Sequence, residues 1–379
     1  MSDDFALYIH WPFCESKCPY CDFNSHVRET VDQARWRAAY LQELSHFAAE
    51  TRGRTLTSIF FGGGTPSLME PATAAGVIEA AAGHWAFAPD IEITLEANPS
   101  SVETSRFEAF KSAGVNRVSI GVQALNDDDL QFLGRRHNHE EALNAIEAAA
   151  KTFARYSFDL IYARPGQTVD AWRRELKDAL RLTGSHLSVY QLTIEPGTAF
   201  HRERIEAADE DTGAGLYEIT QEILEAFNLP AYEISNHAKP GEESRHNLTY
   251  WRSGEWLGVG PGAHGRLRKN NTAEAVVQIR PPESWLTAVE TKGHGTVKRT
   301  ALAPEDAQRE AVMMGLRLRE GISRKDFQTQ FGCALDACLD TDALKTLIEG
   351  GYVENDENVL RATAMGRQCL NAVLAKLIA

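Results

Sequence analysis

Three shortages bound what this chain can be. It has no apolar run of the ~18–20 residues that cross a bilayer, so no transmembrane helix is expected. It is short of positive charge: 39 Lys and Arg stand against 53 Asp and Glu, a net charge of −14. That balance argues against broad nucleic-acid binding, which needs Lys and Arg to neutralise phosphates. It is also short of cysteine, with six in 379 residues. Cys333, Cys338 and Cys369 are scattered, and they read as small core or surface residues. The opening "MSDDFALYIHWPFC" lacks a basic segment followed by an apolar stretch, so no secretory signal is expected. The expected location is therefore the reducing cytoplasm. There, clustered thiols serve as metal ligands or redox groups more often than as disulfides.

What is present is an ordinary globular composition, 43% hydrophobic and 24% charged. The length allows a large core and a second domain. Short β-rich runs recur at 6–10, 57–61, 91–95, 116–122, 158–163 and 186–194. Amphipathic stretches such as "DQARWRAAYLQELSHFAAE" and "HEEALNAIEAAAKTFARY" lie between most of them. Alternating strands and helices predict an α/β fold with a parallel sheet. Six units are too few for a closed eight-stranded barrel, so an open six-unit (β/α) partial barrel or a doubly wound sheet fits. Polar and glycine-rich segments follow successive strands: "GGGTP" (62–66), "EANP" (96–99), "GVQ" ending at Gln123, and "ARPGQT" (163–168). That is the edge where parallel α/β folds place ligands.

After about residue 200 the rhythm breaks. Residues 237–265 read as a long loop dense in Gly, His and aromatics, and such loops are usually functional or mobile. The expected division is a barrel domain over 1–235, a loop-rich closing segment over 236–300, and a smaller, mostly helical domain over 301–379. "GGYVENDENVLRAT" suggests a hairpin and hence a winged-helix-like unit. Residues 303–379 carry nine Lys and Arg against twelve Asp and Glu, which disfavours a DNA-reading role.

The densest chemistry lies in "FCESKCPYCDF", where Cys14, Cys18 and Cys21 fall within eight residues after the first strand. Zinc sites usually combine two closely spaced pairs of ligands, and no second pair exists here. Iron–sulfur clusters take one cysteine per iron. Three cysteines on a four-iron cluster leave one iron open to an outside ligand. The plain alternative is three packing thiols.

"CESKCPYC" is a full CxxxCxxC and resembles the signature of radical S-adenosylmethionine enzymes. The resemblance implies a [4Fe-4S] cluster on Cys14, Cys18 and Cys21, with S-adenosylmethionine on the open iron as the source of a 5′-deoxyadenosyl radical. It implies the open six-unit barrel too. Tyr20 would pack near the adenine. The backbone of Gly62, Gly63, Gly64 and Thr65 would approach the methionine amino group. "LYIHWPFC", "GVNRVSIGVQ", "LGRRH", "FDLIYARPGQT", "YQLTIEPGT" and "GVGPGAHG" narrow the likeness to the oxygen-independent coproporphyrinogen oxidase group. That group's pattern would put Tyr8 against the sulfonium. Glu96, Gln123, Arg135 and Asp159 would contact S-adenosylmethionine, and Gly262 and Ala263 would lie on its adenine side. For any one of these polar residues, the plain alternative is a cap or loop stabiliser. Arg164 departs from the group's pattern, and its partner is not evident from the sequence.

The group has two branches. The oxidases carry CxxxCxxCxC and a longer segment before it. Here Phe23 takes the last cysteine's place and 13 residues precede Cys14, which weakens the oxidase expectation. The haem-chaperone branch resembles this chain in "CDFNSH" and in HNxxYW, which stands here as "HNLTYW", His246 to Trp251. That likeness implies haem ligation by His246, with Tyr250 and Trp251 supplying flat apolar surface and a polar edge. Arg245 could pair with a propionate. His237 and His264 are spare candidates. The implied partners are haem and haem-requiring client proteins such as respiratory enzymes, with contact at a membrane surface and cluster-dependent dimerisation. The alternative function is oxygen-independent coproporphyrinogen III oxidase.

Overall fold

The computed structural model describes residues 4–269 and 272–378. Six parallel strands follow one another in chain order. They are β1 (Asp4–Trp11), β2 (Thr55–Gly63), β3 (Ala86–Ala97), β4 (Arg117–Gln123), β5 (Arg155–Tyr162) and β6 (His186–Gln191). Each overlaps one of the six expected runs. The expected partial barrel is present, and its sheet is open.

The sheet extends further at both edges. β7 (Asn236–Ala238) pairs antiparallel with β6. At the other edge β8 (Glu255–Val259) pairs parallel with β1. β9 (His264–Lys269), β10 (Thr272–Gln278) and β11 (Thr296–Ala301) then continue outward antiparallel. The strand order is therefore β11-β10-β9-β8-β1-β2-β3-β4-β5-β6-β7. The stretch expected to be loop-rich is thus largely regular. "GVGPGAHG" turns β8 back into β9. A Cβ on Gly258 would lie 2.2 Å from the His264 carbonyl oxygen, so only glycine allows that close return.

Helix α1 (Gln33–Glu50) shows why the outer layer forms. Asp32 caps it by accepting from the Arg35 N–H at 3.0 Å. Trp36, Tyr40, Leu44 and Phe47 recur at helical spacing and bury one face. Helix α2 (His139–Thr152) starts with a reciprocal capping box between Asn138 and Glu141. Two further helices matter below: α3 (Arg245–Trp251) and α4 (Pro282–Lys292). The α4 side chain Trp285 stacks on Trp36 at 5.3 Å. The buried Glu43 carboxylate accepts from the Gly260 N–H at 2.9 Å, the Gly295 N–H at 2.6 Å and Trp285 Nε1 at 3.1 Å. α1 thereby fastens the extra strands to the barrel. Burial pushes Glu43 up to about 7, and these three donors oppose that rise.

The chain ends in helices around a three-stranded sheet of Ile322–Ser323, Val353–Asn355 and Val359–Ala362. The expected hairpin is its 353–362 part. This region has a hydrophobic core of its own, including Phe327, Leu347, Leu360 and Leu377. Helix α5 (Pro304–Gly315) leads into it.

Candidate functional site

The barrel's C-terminal edge carries a pocket lined by all three clustered cysteines together with Tyr20, Gly63, Gly64, Thr65, Glu96, Gln123, Arg135 and Asp159. Eleven expected site residues thus meet, drawn from the loop after β1, from the C-terminal ends of β2, β3 and β4, from the segments that follow β2 and β4, and from within β5. Local geometry explains the glycines. Gly63 has φ +116°, and a Cβ there would lie 2.6 Å from the His10 ring. Gly64 N–H and Thr65 N–H bond to the carbonyls of Trp11 and Phe13 at 2.7 and 2.8 Å, which ties "GGGTP" to the root of the cysteine loop. Gln123 is left-handed at φ 74°, a costly conformation for a side-chain-bearing residue, and it sits at the pocket wall.

The thiols are embraced by hydrogen-bond donors. Arg135 Nη1 donates to Cys18 Sγ at 3.2 Å, and Thr65 Oγ1 donates to Cys14 Sγ at 3.4 Å. Asn98 joins these two donors: its Oδ1 accepts from Arg135 Nη2 at 2.6 Å and its Nδ2 donates to Thr65 Oγ1 at 3.0 Å. Cys21 Sγ lies 3.7 Å from Ser25 Oγ. Burial pushes the Cys14 thiol up to about 11, a penalty that metal ligation removes by binding the thiolate. Among the described residues, no three His, Cys, Asp or Glu side chains gather tightly enough for a single metal ion. A cluster carrying its own sulfides spaces its thiolates more widely. Three thiols on one loop, each beside a polar group, fit such a cluster.

The opposite wall is acidic. Glu96 accepts from the Gly63 N–H at 3.2 Å and faces Asp159. Burial, and then the Asp159 charge, push Glu96 up to about 8. Burial pushes Asp159 up to about 6, against the pull of serine hydroxyls and of Arg117 and Arg135. A cationic ligand between them would lower both values.

Other expected positions fall elsewhere. Gly62 packs under the pocket, where a Cβ would lie 2.9 Å from both the Phe60 and Tyr8 rings. Tyr8 points into the barrel interior and bonds His10 Nδ1 at 3.0 Å, outside the pocket lining. Gly262 and Ala263 lie in the β8–β9 turn. Gly262 meets Asn24, whose Nδ2 donates to Pro261 O and Arg280 O, both at 2.9 Å. None of these four positions lines the pocket in this structure.

"HNLTYW" also needs correction. It is helix α3, not a loop, and it plugs the lower end of the barrel. His246 is 1% exposed. Its Nδ1 meets Ser58 Oγ at 2.9 Å and its Nε2 meets the Tyr250 hydroxyl at 2.6 Å. Its ring stacks on Phe60 at 4.9 Å. Burial depresses its pKa to about 3, so the ring is neutral. Neither ring nitrogen is free for iron in this conformation. Trp251 leaves the barrel instead and lines a cleft of about 550 Å³ with Leu318, Phe327 and Phe331 of the C-terminal region. The Arg317 guanidinium lies 4.6 Å over its ring. Arg245 is held by Asp90 at 2.5 Å. His237 is buried in the sheet edge at 1% exposure, and His264 begins β9. Arg164 does find partners: it is buried against Glu175 and lies 3.0 Å from Asp129.

Sequence reasoning missed Asn98 and Ser119, which also line the pocket. Asn98 stood in plain view inside "EANP". Ser119 looked like any strand residue.

The open barrel and the three-thiol pocket define a radical S-adenosylmethionine protein. The family model described as Radical SAM superfamily matches residues 8–179, and the one described as HemN C-terminal domain matches 302–369. A cattle protein named radical S-adenosyl methionine domain-containing protein 1, mitochondrial, is 40% identical over 98% of this chain and 87% of its own. The Escherichia coli (strain K12) protein named heme chaperone HemW is 35% identical over 99% of this chain and 98% of its own. Its Bacillus subtilis namesake is 34% identical over 97% of both. Coproporphyrinogen III oxidase (HemN) from Escherichia coli superposes with a TM-score of 0.84 at 22% identity, covering 99% of this chain and 90% of its own, which shows the shared fold. The chain belongs to the HemW-type family of radical S-adenosylmethionine proteins.

Proposed function

We propose that this protein binds haem and hands it to haem-requiring proteins, and that it carries a [4Fe-4S] cluster and S-adenosylmethionine in the upper pocket. The observation that supports this best is the three-thiol pocket in a chain that is similar, over nearly its full length, to proteins named haem chaperones. Cys14, Cys18 and Cys21 would hold the cluster, with Arg135 and Thr65 stabilising the sulfurs. When bound, the cluster supplies an electron to the sulfonium. Glu96 and Asp159 supply negative charge for a ligand bearing an ammonium and a sulfonium. The backbone of Gly63 to Thr65 and the side chains of Gln123 and Tyr20 bound its shape.

Haem is assigned to the "HNLTYW" segment. Ligation by His246 requires the Tyr250 hydroxyl to leave Nε2, while Ser58 keeps hold of Nδ1 and so fixes the ring's orientation. Trp251 offers a flat face toward the cleft. Haem titration should show an imidazole-ligated spectrum that His246→Ala loses, with at least about tenfold weaker binding. An unchanged spectrum would remove His246 from the role.

Among the described residues, no helix is long and apolar enough to cross a membrane. We place the protein in the cytoplasm, with clients reached at a membrane surface and with dimerisation dependent on the cluster. Anaerobic incubation of reconstituted protein with coproporphyrinogen III, S-adenosylmethionine and a reductant should give no protoporphyrinogen at catalytic turnover. Turnover would replace this reading with that of an oxidase. Haem transfer to an apo-haem protein, measured on the same sample, should proceed.

A further inference from the structure

The sequence presents Cys333 and Cys338 as scattered core or surface residues. The structure brings them together. The turn Leu335–Cys338 folds the chain back so that the two sulfurs stand 3.9 Å apart. Gln308 of helix α5 bridges them: its Nε2 donates to Cys333 Sγ at 3.2 Å, and its Oε1 accepts from Cys338 Sγ at 3.2 Å. Both thiols are half-buried and unbonded to each other. Cys369 is not part of this group, since its thiol bonds the Met365 carbonyl at 3.1 Å.

We propose that Cys333 and Cys338 form a reversible disulfide site, oxidised by exchange with a small disulfide such as glutathione disulfide. The Cys333 thiolate attacks one oxidant sulfur, the oxidant's S–S bond breaks, and one small thiol leaves. Cys338 gives up its proton and attacks the Cys333 sulfur, and the second small thiol leaves. Two protein thiols become one disulfide, and the oxidant takes up two electrons and two protons as two thiols. Closing from contact distance to the ~2.05 Å bond asks for side-chain rotation in a loop with exposed neighbours at Gly332, Ala334, Asp336 and Ala337.

Oxidation has a local consequence. The disulfide has no S–H, so the Gln308 carbonyl loses its donor. Gln308 lies on the helix whose Ala311 and Gly315 line the Trp251 cleft, and Phe331, two residues before Cys333, lines it too. The redox state of the pair therefore acts on a wall of that cleft.

Trypsin releases Asp326–Lys345, which carries both thiols and no other cysteine. Intact, cluster-loaded protein would be equilibrated with glutathione buffers of rising oxidised fraction, alkylated, digested and weighed. The expected product is this peptide unalkylated and lighter by about 2 Da, restored by dithiothreitol. Cys338→Ser should leave a single glutathione on Cys333, because the resolving thiol is gone. A peptide that stays doubly alkylated throughout the series, or that carries two glutathiones in the wild type, would overturn the proposal.

Discussion

Two glutamates on one strand mark the contrast between the two ends of the barrel. Glu92 and Glu96 lie four residues apart on β3, so both face the interior. At the lower end, Glu92 takes Arg155 Nη1 at 2.7 Å, and it takes the Ser244 hydroxyl and the His246 N–H at 3.3 Å each. Burial alone would raise its pKa, but Arg117, Arg155 and the His246 N–H outweigh that and hold it below the ordinary value. At the upper end, Glu96 has one backbone N–H and faces another carboxylate, and its pKa rises to about 8. The lower end is a finished joint with its own counter-charges. At the upper end Glu96 has no such counter-charge from the chain, and burial beside Asp159 favours its neutral form. Burial is common to both ends, so what separates structure from function here is whether the chain supplies the counter-charge.

That contrast can be broken by substitution. The largest effect should come from Cys14→Ser, which removes one of the three proposed cluster ligands. Iron and sulfide content after anaerobic reconstitution should fall from about four of each per chain to near none. Retained cluster would show that the three thiols do not act together. Glu92→Gln comes next. It takes from Arg155 and Arg117 their shared carboxylate, leaving Arg155 its pair with Glu242, and should cost about 1.5–3 kcal/mol in a denaturant titration. Glu96→Gln should cost nothing in the same titration, because it removes a carboxylate that burial disfavours. If the two variants were equally destabilised, the distinction between the ends would be lost. Glu96→Gln should instead weaken S-adenosylmethionine binding about 10- to 100-fold, the loss of one charge-assisted contact. The smallest effect belongs to Tyr250→Phe, which takes one hydroxyl from His246 and should cost about 1 kcal/mol. It should also free Nε2 and tighten haem binding if His246 is the ligand.

What the sequence made legible was local. The six barrel strands announced themselves by apolar runs, and the cysteine loop by its spacing. The residues following each strand pointed to the edge where the three-thiol pocket lies, because in a parallel sheet that edge is set by chain direction. Long-range pairings were not legible. "GVGPGAHG" looked like loop because its glycines serve a tight turn between strands whose pairing depends on β1, some 250 residues away. "HNLTYW" read as loop, since nothing within it signals that Ser58, Phe60 and Glu92 receive it. The Cys333–Cys338 pair was hidden because five-residue spacing has no meaning until the short turn and Gln308 close it. Arg164 looked anomalous until Glu175, eleven residues on, and Asp129 appeared beside it.

The pH dependence of the empty and loaded protein carries a definite sign. Glu96 has a folded value of about 8 against an ordinary value of 4.5, so the folded state holds more protons than the unfolded between them. The contribution of this group to stability is therefore full below about 4.5 and falls as pH rises through about 8. Binding of a cationic ligand runs the other way, since the ionised carboxylate is the form that receives it. The most direct measurement is calorimetric titration of cluster-loaded protein with S-adenosylmethionine from pH 6 to 8.5, for the wild type and Glu96→Gln. The predicted result is wild-type affinity that rises with pH across this window, and weaker, flatter binding in the variant. Equal, pH-independent affinity in both would contradict the account.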